Sequence, residues 1–321
     1  MNSNIILVVL GEPNSTFTEV LFKYFKSPSF KRNKNNIILI GSKKLVTKQM
    51  EKLNYSFFIN EINNIKDSSN KIINLINVEY IFKKTFSEIN SASNRYIGQC
   101  FNLALKLIKL NNINKLINGP ISKKHFLKKK FPGITEYIGA KTGTSDPIML
   151  IYNKNLSVCP LTTHIPIKDV TKYVKKEKII NAVKKLNKFY NLKLKKKPRI
   201  ALLGLNPHCE SISKISEEKK EIIPAIKYLE KAKIQISGPF SADTFFLKKN
   251  IEKFDVVMGM YHDQVLTPIK TLFKFKAINV TVGLPFIKVT PDHGPNFEMV
   301  GMNKSDPSSI FCAFDFFNKL Q

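Results

Sequence analysis

The sequence predicts a doubly wound α/β protein, and two observations carry that prediction. Short apolar runs rich in isoleucine, leucine and valine alternate along the whole chain with longer amphipathic stretches. Several of these runs stop at a polar turn holding glycine, proline, asparagine or histidine, where open parallel sheets keep their ligands. No repeat, coiled coil or flexible linker interrupts the alternation, so the boundary between domains is soft.

Ile5 to Leu10 reads as a first strand, followed by the turn Gly11-Glu12-Pro13-Asn14 and a helix from about Ser15 to Phe25. Asn36 to Gly41 is a second strand with a lysine-rich helix behind it. Asn60 to Lys71 is polar and asparagine-rich and reads as a surface loop. Phe86 to Lys109 reads as a longer helix, with Leu103, Leu105, Leu107 and Ile108 among its apolar positions. Lys115 to Asn118 is a short strand ending in Gly119-Pro120-Ile121-Ser122-Lys123, and Pro132 to Glu136 opens another short helix. Leu156 to Leu161 and Ile200 to Leu205 are buried strands on either side of an amphipathic helix, Lys176 to Tyr190. That helix places Ile179, Ile180, Val183, Leu186 and Tyr190 on one face and most of its lysines opposite. Ser216 is placed to cap a helix from Glu217 onward, with two acids in the first turn, and Pro224 is expected to kink it. Asp255 to Met260 is a strand buried on both faces, Ile278 to Val282 a late strand, and Pro307 to Leu320 a closing helix.

Composition narrows the function. The net charge of +28 comes from 52 basic and 24 acidic residues, yet the only arginines are Arg32, Arg95 and Arg199. Arginine reads bases and clamps phosphates bidentately, and lysine here is spread through helices and loops alike. That pattern is a composition bias and argues against a nucleic-acid partner, while its positive field still draws phosphorylated small molecules and dinucleotides. No apolar run reaches membrane-spanning length. The first residues lack the flank and cleavage site of a signal peptide, and the four scattered cysteines fit free thiols in a reducing cytoplasm. Cys209 adjoins His208 and reads as a small filler.

The stretch Phe254 to Lys270 organises the chemistry. Its strand runs into Tyr261-His262-Asp263-Gln264, and the pattern occurs twice more, at Thr162-Thr163-His164-Ile165-Pro166 and Asn206-Pro207-His208. Three of the five histidines therefore lie within three residues of a buried strand end. If those strands are parallel neighbours, the imidazoles of His164, His208 and His262 meet at one edge and suit a divalent metal with open positions. Three unrelated loop caps are the bland alternative. Asp243, after a small-residue turn, suits orientation of a reacting hydroxyl, or else a helix cap. Lys270 and Lys288 suit an anion, though in so lysine-rich a chain neither stands out alone. The loop Thr290 to Glu298 has backbone amides around His293, Gly294 and Asn296 for a pyrophosphate or adenine, and Glu298 for ribose hydroxyls, or else is a plain turn. No G-x-G-x-x-G or Walker loop is present.

Six segments occur in one order: Thr162 to Pro166, Gly204 to His208, Ala242-Asp243-Thr244, Met260 to Gln264, Asn279 to Phe286 and Asp292-His293-Gly294. Together they resemble the 4-hydroxythreonine-4-phosphate dehydrogenase family of pyridoxal phosphate synthesis, from about Asn118 to Gly301 and more weakly before. The resemblance implies an isocitrate-dehydrogenase-like fold with two α/β/α domains flanking a cleft, residues 1–120 with 285–321 and residues 121–284. The second domain is expected to hold the metal ligands and the contacts of a homodimer with a shared active site. A zinc, cobalt, nickel, manganese or magnesium ion would sit on His164, His208 and His262. Thr135, Lys270, Asn279 and Lys288 would bind the phosphorylated substrate, and the loop at His293 would bind NAD or NADP. The implied reaction oxidises a secondary alcohol and then releases carbon dioxide from the β-keto acid. Negative charge builds on oxygen in both steps, which a cation offsets.

The chain departs from the family pattern in four places. Ile134 stands where histidine is usual and Lys288 where arginine is expected, and lysine cannot clamp an anion bidentately. Cys209 to Lys214 replaces a glycine-rich segment, and Gly11 to Glu19 lacks the usual glycines of the first turn. The alternatives are oxidation of a 4-phosphothreonate or 4-phosphoerythronate by a paralogue, and phosphate acyl transfer, an activity that also occurs on related folds.

Overall fold

The structure is a computed structural model that describes residues 4–127, 130–210, 215–292 and 294–320. It forms two compact units, Met1–Thr142 with Leu284–Gln321, and Gly143–Gly283. The chain leaves the first unit after Thr142 and not after residue 120, because Ile138 of the helix Ile134–Lys141 is part of the first unit's core.

The first five strands are β1 (Ile5–Val9), β2 (Asn36–Gly41), β3 (Ile59–Glu61), β4 (Ile73–Asn77) and β5 (Lys115–Asn118). The second unit holds β6 (Ile148–Tyr152), β7 (Ser157–Pro160), β8 (Ile200–Leu203), β9 (Ile236–Phe240), β10 (Val256–Gly259) and β11 (Ile278–Val282). The last strand, β12 (Ile287–Pro291), returns to the first unit.

In the first unit the order is β3-β4-β2-β1-β5-β12 and every pairing is parallel. One face of this sheet, with Leu7, Ile38 and Leu116, packs on Ile97, Phe101 and Ala104 of the helix Asn94–Asn111. Elsewhere in this unit the helices Phe17–Lys26 and Ser308–Lys319 meet through Tyr24 and Phe314, stacked with ring centroids 4.1 Å apart. In the second unit the order is β11-β6-β7-β10-β8-β9, antiparallel through β11, β6 and β7 and parallel from β7 onward. Val158, Ala201 and Val257 pack against Val265, Leu266 and Ile269 of the helix His262–Phe273.

Three elements differ from the sequence reading. The helix expected from Phe86 begins at Asn94, after a single tight turn at Ser91–Ser93. Asn14 Oδ1 accepts from the Ser87 backbone N–H at 3.0 Å and Asn90 Oδ1 from that of Ala92 at 2.8 Å, so side chains occupy donors that a helix would use. The loop expected at Asn60 contains the end of β3, paired with β4, which was itself unmarked because Asn74 interrupts its apolar run. Asn74 is fully buried and donates to the carbonyls of Ile37 and Ser69 at 3.1 and 2.8 Å, which makes an asparagine acceptable inside the sheet. The helix after Ser216 opens as a wide turn, Glu218–Ile222, and becomes α-helical at Ile223, where Pro224 has no N–H to give to the preceding turn.

Asp255 pins β8 to β10 at their amino ends. Its carboxylate accepts from the Arg199 backbone N–H at 2.9 Å and from Lys196 Nζ at 2.8 Å, and Arg199 Nη2 lies 3.2 Å away. Burial pushes this carboxyl up, but Arg199 and Lys196 outweigh that and hold it below the usual carboxylate range. Asp255→Ala is expected to lose about 2 kcal/mol, the scale of a charged hydrogen-bond set. Because the native carboxyl is depressed, that stabilisation is present above the unfolded value and is lost as pH falls through the folded one. Urea unfolding should therefore separate variant and wild type at neutral pH and bring them together in acid.

Candidate metal and cofactor sites

Strands β7, β10 and β8 lie side by side and parallel. A histidine follows the carboxyl end of each, with His164 after Pro160, His262 after Gly259 and His208 after Leu203. The topology thus delivers three imidazoles to one edge of the second unit's sheet. The rings of His164 and His262 have centroids 6.0 Å apart. Two imidazoles on one tetrahedral cation would show roughly 5 Å, from a metal–nitrogen bond of about 2.1 Å. His262 Nδ1 is 2.8 Å from Asp263 Oδ1, which orients the ring and leaves Nε2 as the nitrogen for a ligand.

His208 stands apart from that pair. Its backbone is left-handed (φ 55°), its side chain is 74% exposed, and its Nδ1 lies 3.7 Å from Asp243 Oδ2. Among the described residues no three His, Cys, Asp or Glu side chains are close enough to hold a metal ion. The donor chemistry suits a divalent cation, and two of the three rings are near the spacing one needs.

Asp243 is the second residue of the helix Ala242–Phe245, not its cap. Ser241's hydroxyl donates to Asp243 Oδ1 at 2.5 Å. That bond, the Thr244 backbone N–H and the nearby His208 ring hold the carboxyl below its ordinary range.

Glu218 was legible in the sequence only as an acid in a helix's first turn. It is buried, and its Oε1 accepts from the backbone N–H groups of Leu205 and Asn206, both at 2.8 Å. Its Oε2 accepts from Asn206 Nδ2 at 2.9 Å. Burial pushes the carboxyl up, but the Asn206 and Leu205 donors prevail and hold it down, so an ionised side chain fixes the turn carrying His208. Thr162 does similar work nearby, donating to the Met260 carbonyl at 2.7 Å and tying the turn of His164 to that of His262.

Of the expected substrate residues in this unit, Lys270 is exposed on the helix that begins at His262. Asn279, on β11, has a buried Oδ1 with no hydrogen-bond partner among the described residues. In the first unit Thr135 is buried in the first turn of the helix Ile134–Lys141. Ile134 packs against the apolar core, so that position offers no polar contact. Lys288 has no exposed surface at all, and its Nζ has no hydrogen-bond partner among the described residues. Burial lowers its ammonium to about 7, partly offset by Glu136. The structure therefore holds this amine in the interior and does not present it at a surface.

His293 lies outside the described residues, but the loop around it is otherwise placed. Thr16 N–H donates to the Pro295 carbonyl at 3.1 Å, anchoring the loop beside the turn after β1. Asn296 is left-handed (φ 53°) and precedes the single turn Phe297–Met299, and Gly294, Asn296 and Glu298 are exposed. A cavity of about 490 Å³ lies next to this loop, lined by Phe86, Ser87, Glu88, Ile89, Phe297 and Val300. Its size and mixed walls suit part of a dinucleotide. No helix among the described residues is long and apolar enough to cross a membrane.

Comparison with known proteins finds similarity over nearly the whole chain. A protein named 4-hydroxythreonine-4-phosphate dehydrogenase from Sulfurihydrogenibium sp. (strain YO3AOP1) is 38% identical over 319 residues, covering 97% of this chain and 96% of its own. Its namesake from Aquifex aeolicus (strain VF5) is 34% identical over 315 residues, covering 95% of each. The crystal structure of a 4-hydroxythreonine-4-phosphate dehydrogenase from Burkholderia phymatum superposes with a TM-score of 0.82 at 26% identity, covering 99% of this chain and 98% of that one. Residues 33–317 match the model of the pyridoxal phosphate biosynthetic protein PdxA. With that match over most of its length and full-length relatives above 30% identity, the chain belongs to the PdxA family.

Proposed function

We propose that this protein is a metal-requiring, NAD- or NADP-dependent dehydrogenase that oxidises 4-phosphohydroxy-L-threonine and releases carbon dioxide, leaving 3-amino-2-oxopropyl phosphate. The observation that carries the reading is the placement of His164, His262 and His208 after three adjacent parallel strands. The names of its relatives support the same reaction.

In this reading His164, His208 and His262 hold a divalent cation, which when bound supplies a Lewis acid for a developing alkoxide and enolate. Asp263 orients the His262 ring, and Glu218 holds the turn of His208. Asp243, kept ionised by Ser241, is suited to accept the proton of the substrate hydroxyl. Lys270 neutralises an anionic end of the substrate, and Asn279 supplies a polar contact through its buried Oδ1. Gly294, Asn296 and Glu298 line the exposed loop that binds the dinucleotide. A cytoplasmic homodimer completes the proposal, with exposed Leu247, Leu272 and Phe275 on the second unit as apolar surface for a partner.

A second reading has a specific observation in its favour. Ile134 and the buried Lys288 remove two polar groups from the expected substrate side, which favours a neighbouring substrate such as 4-phosphothreonate or 4-phosphoerythronate. Purified protein should form NADH or NADPH with the threonine derivative, lose that activity to a chelator, and regain it with added metal. Turnover of a threonate or erythronate without the threonine derivative would overturn the first reading. Acyl-phosphate-dependent chemistry without any dinucleotide would overturn both.

A further inference from the structure

The turns that carry His262 and His208 are joined by one side chain. Gln264 is the third residue of the helix His262–Phe273, and both ends of its amide are used. Its Oε1 accepts from the Met260 backbone N–H at 2.7 Å, two residues before His262. Its Nε2 donates to the Gly204 carbonyl at 2.7 Å, at the head of the turn leading to His208. Thr162 then donates to the Met260 carbonyl at 2.7 Å, so the backbone of one residue, Met260, links all three turns.

The surroundings keep the amide in this position. A Cβ at Gly259 would lie 2.9 Å from Gln264 Oε1 and 2.5 Å from Val265 Cγ1, so a larger residue would displace it. On the Gly204 side, Gly204 N–H is itself engaged, donating to the Phe240 carbonyl at 2.9 Å, and Glu218 fixes the next two peptides. The turn of His208 is therefore held on one side by Glu218 and on the other by Gln264. The primary amide accepts from Met260 through its oxygen and donates to Gly204 through its nitrogen at once. A carboxylate keeps the first bond and turns the second into repulsion between oxygens.

We propose that Gln264 is a positioning residue that sets the spacing between His262 and His208, and through it the affinity and geometry of the cation site. This rests on the metal reading given above. Outer-sphere partners of this kind typically change metal affinity by about 10- to 100-fold when lost.

The test uses the full-length protein stripped with a chelator and titrated with cobalt(II), read by its visible absorption and by equilibrium dialysis. Gln264→Glu, which keeps the shape and only reverses the Gly204 bond, should weaken cobalt binding by about 10-fold or more and change the band intensities that report coordination geometry. Its far-ultraviolet circular dichroism should match wild type. Should that variant not fold, Gln264→Met, similar in volume and without either bond, carries the same comparison. Cobalt binding within about threefold of wild type and an unchanged spectrum would overturn the role of Gln264. His208→Ala separates the two levels. If cobalt binds that variant as it binds wild type, the metal reading itself fails. If His208→Ala abolishes binding while Gln264→Glu leaves it intact, only the positioning role fails.

Discussion

His208→Ala is expected to lose turnover by on the order of 10³-fold, equivalent to about 4 kcal/mol of transition-state stabilisation, together with bound metal. The size follows from the proposed site drawing on three imidazoles, so removing one leaves two rings 6.0 Å apart by centroid. Two imidazoles without a third ligand hold a divalent cation weakly at micromolar metal. The fold should survive, because the His208 side chain is 74% exposed and its turn is held by Glu218 through Leu205 and Asn206. Alanine in a left-handed conformation costs about 1 kcal/mol, and histidine in the same place already bears part of that. Metal content, reduced-cofactor formation and the thermal midpoint measured on one preparation decide the matter. A variant with wild-type metal and turnover would remove His208 from the site.

The delivery of His164, His208 and His262 to one sheet edge was legible because it depends on strand order and on residue type, and both leave marks in sequence. Each of the three runs before His164, His208 and His262 is apolar and ends sharply, and such runs in an alternating chain pair in parallel. The contacts that shape the site were not legible. Glu218 lies 10 residues beyond His208 and reaches back to Leu205 and Asn206 from the wide turn that opens its helix. Gln264 and Gly204 are separated by 60 positions, and no local pattern announces a bond between a glutamine and a glycine carbonyl. The crossing point after Thr142 escaped for another reason. The helix Ile134–Lys141 has too few apolar positions to show which core it joins, and the packing of Ile138, with Ile134 and Tyr137 beside it, decides. Lys288 is the clearest case of burial that residue type does not announce. A lysine near a strand end reads as an anion contact, whereas its register beside Leu116 turns it toward the interior of the first unit.

That interior lysine leads to the second large effect. Lys288→Met should raise stability at neutral pH by roughly 2–4 kcal/mol, within the range seen when buried charged groups give way to apolar ones of similar volume. The amine has no exposed surface and no hydrogen-bond partner among the described residues, and one carboxylate oxygen of Glu136 is likewise without one. Burial brings the folded ammonium from 10.5 down to about 7, with Glu136 opposing the shift. The folded state therefore binds fewer protons than the unfolded state across the interval from about 7 to 10.5, and wild-type stability climbs as pH rises through it. Methionine does not titrate, so the gain from Lys288→Met is largest below the folded value and shrinks toward alkaline pH. Urea midpoints for the two proteins at several pH values measure that closing gap. A gap that stays constant, or a variant less stable than wild type at neutral pH, would mean the amine has a partner in solution. An unchanged KM for the phosphorylated substrate in the same variant would place Lys288 outside the substrate contacts, whereas a raised KM would show that the interior opens to admit the anion.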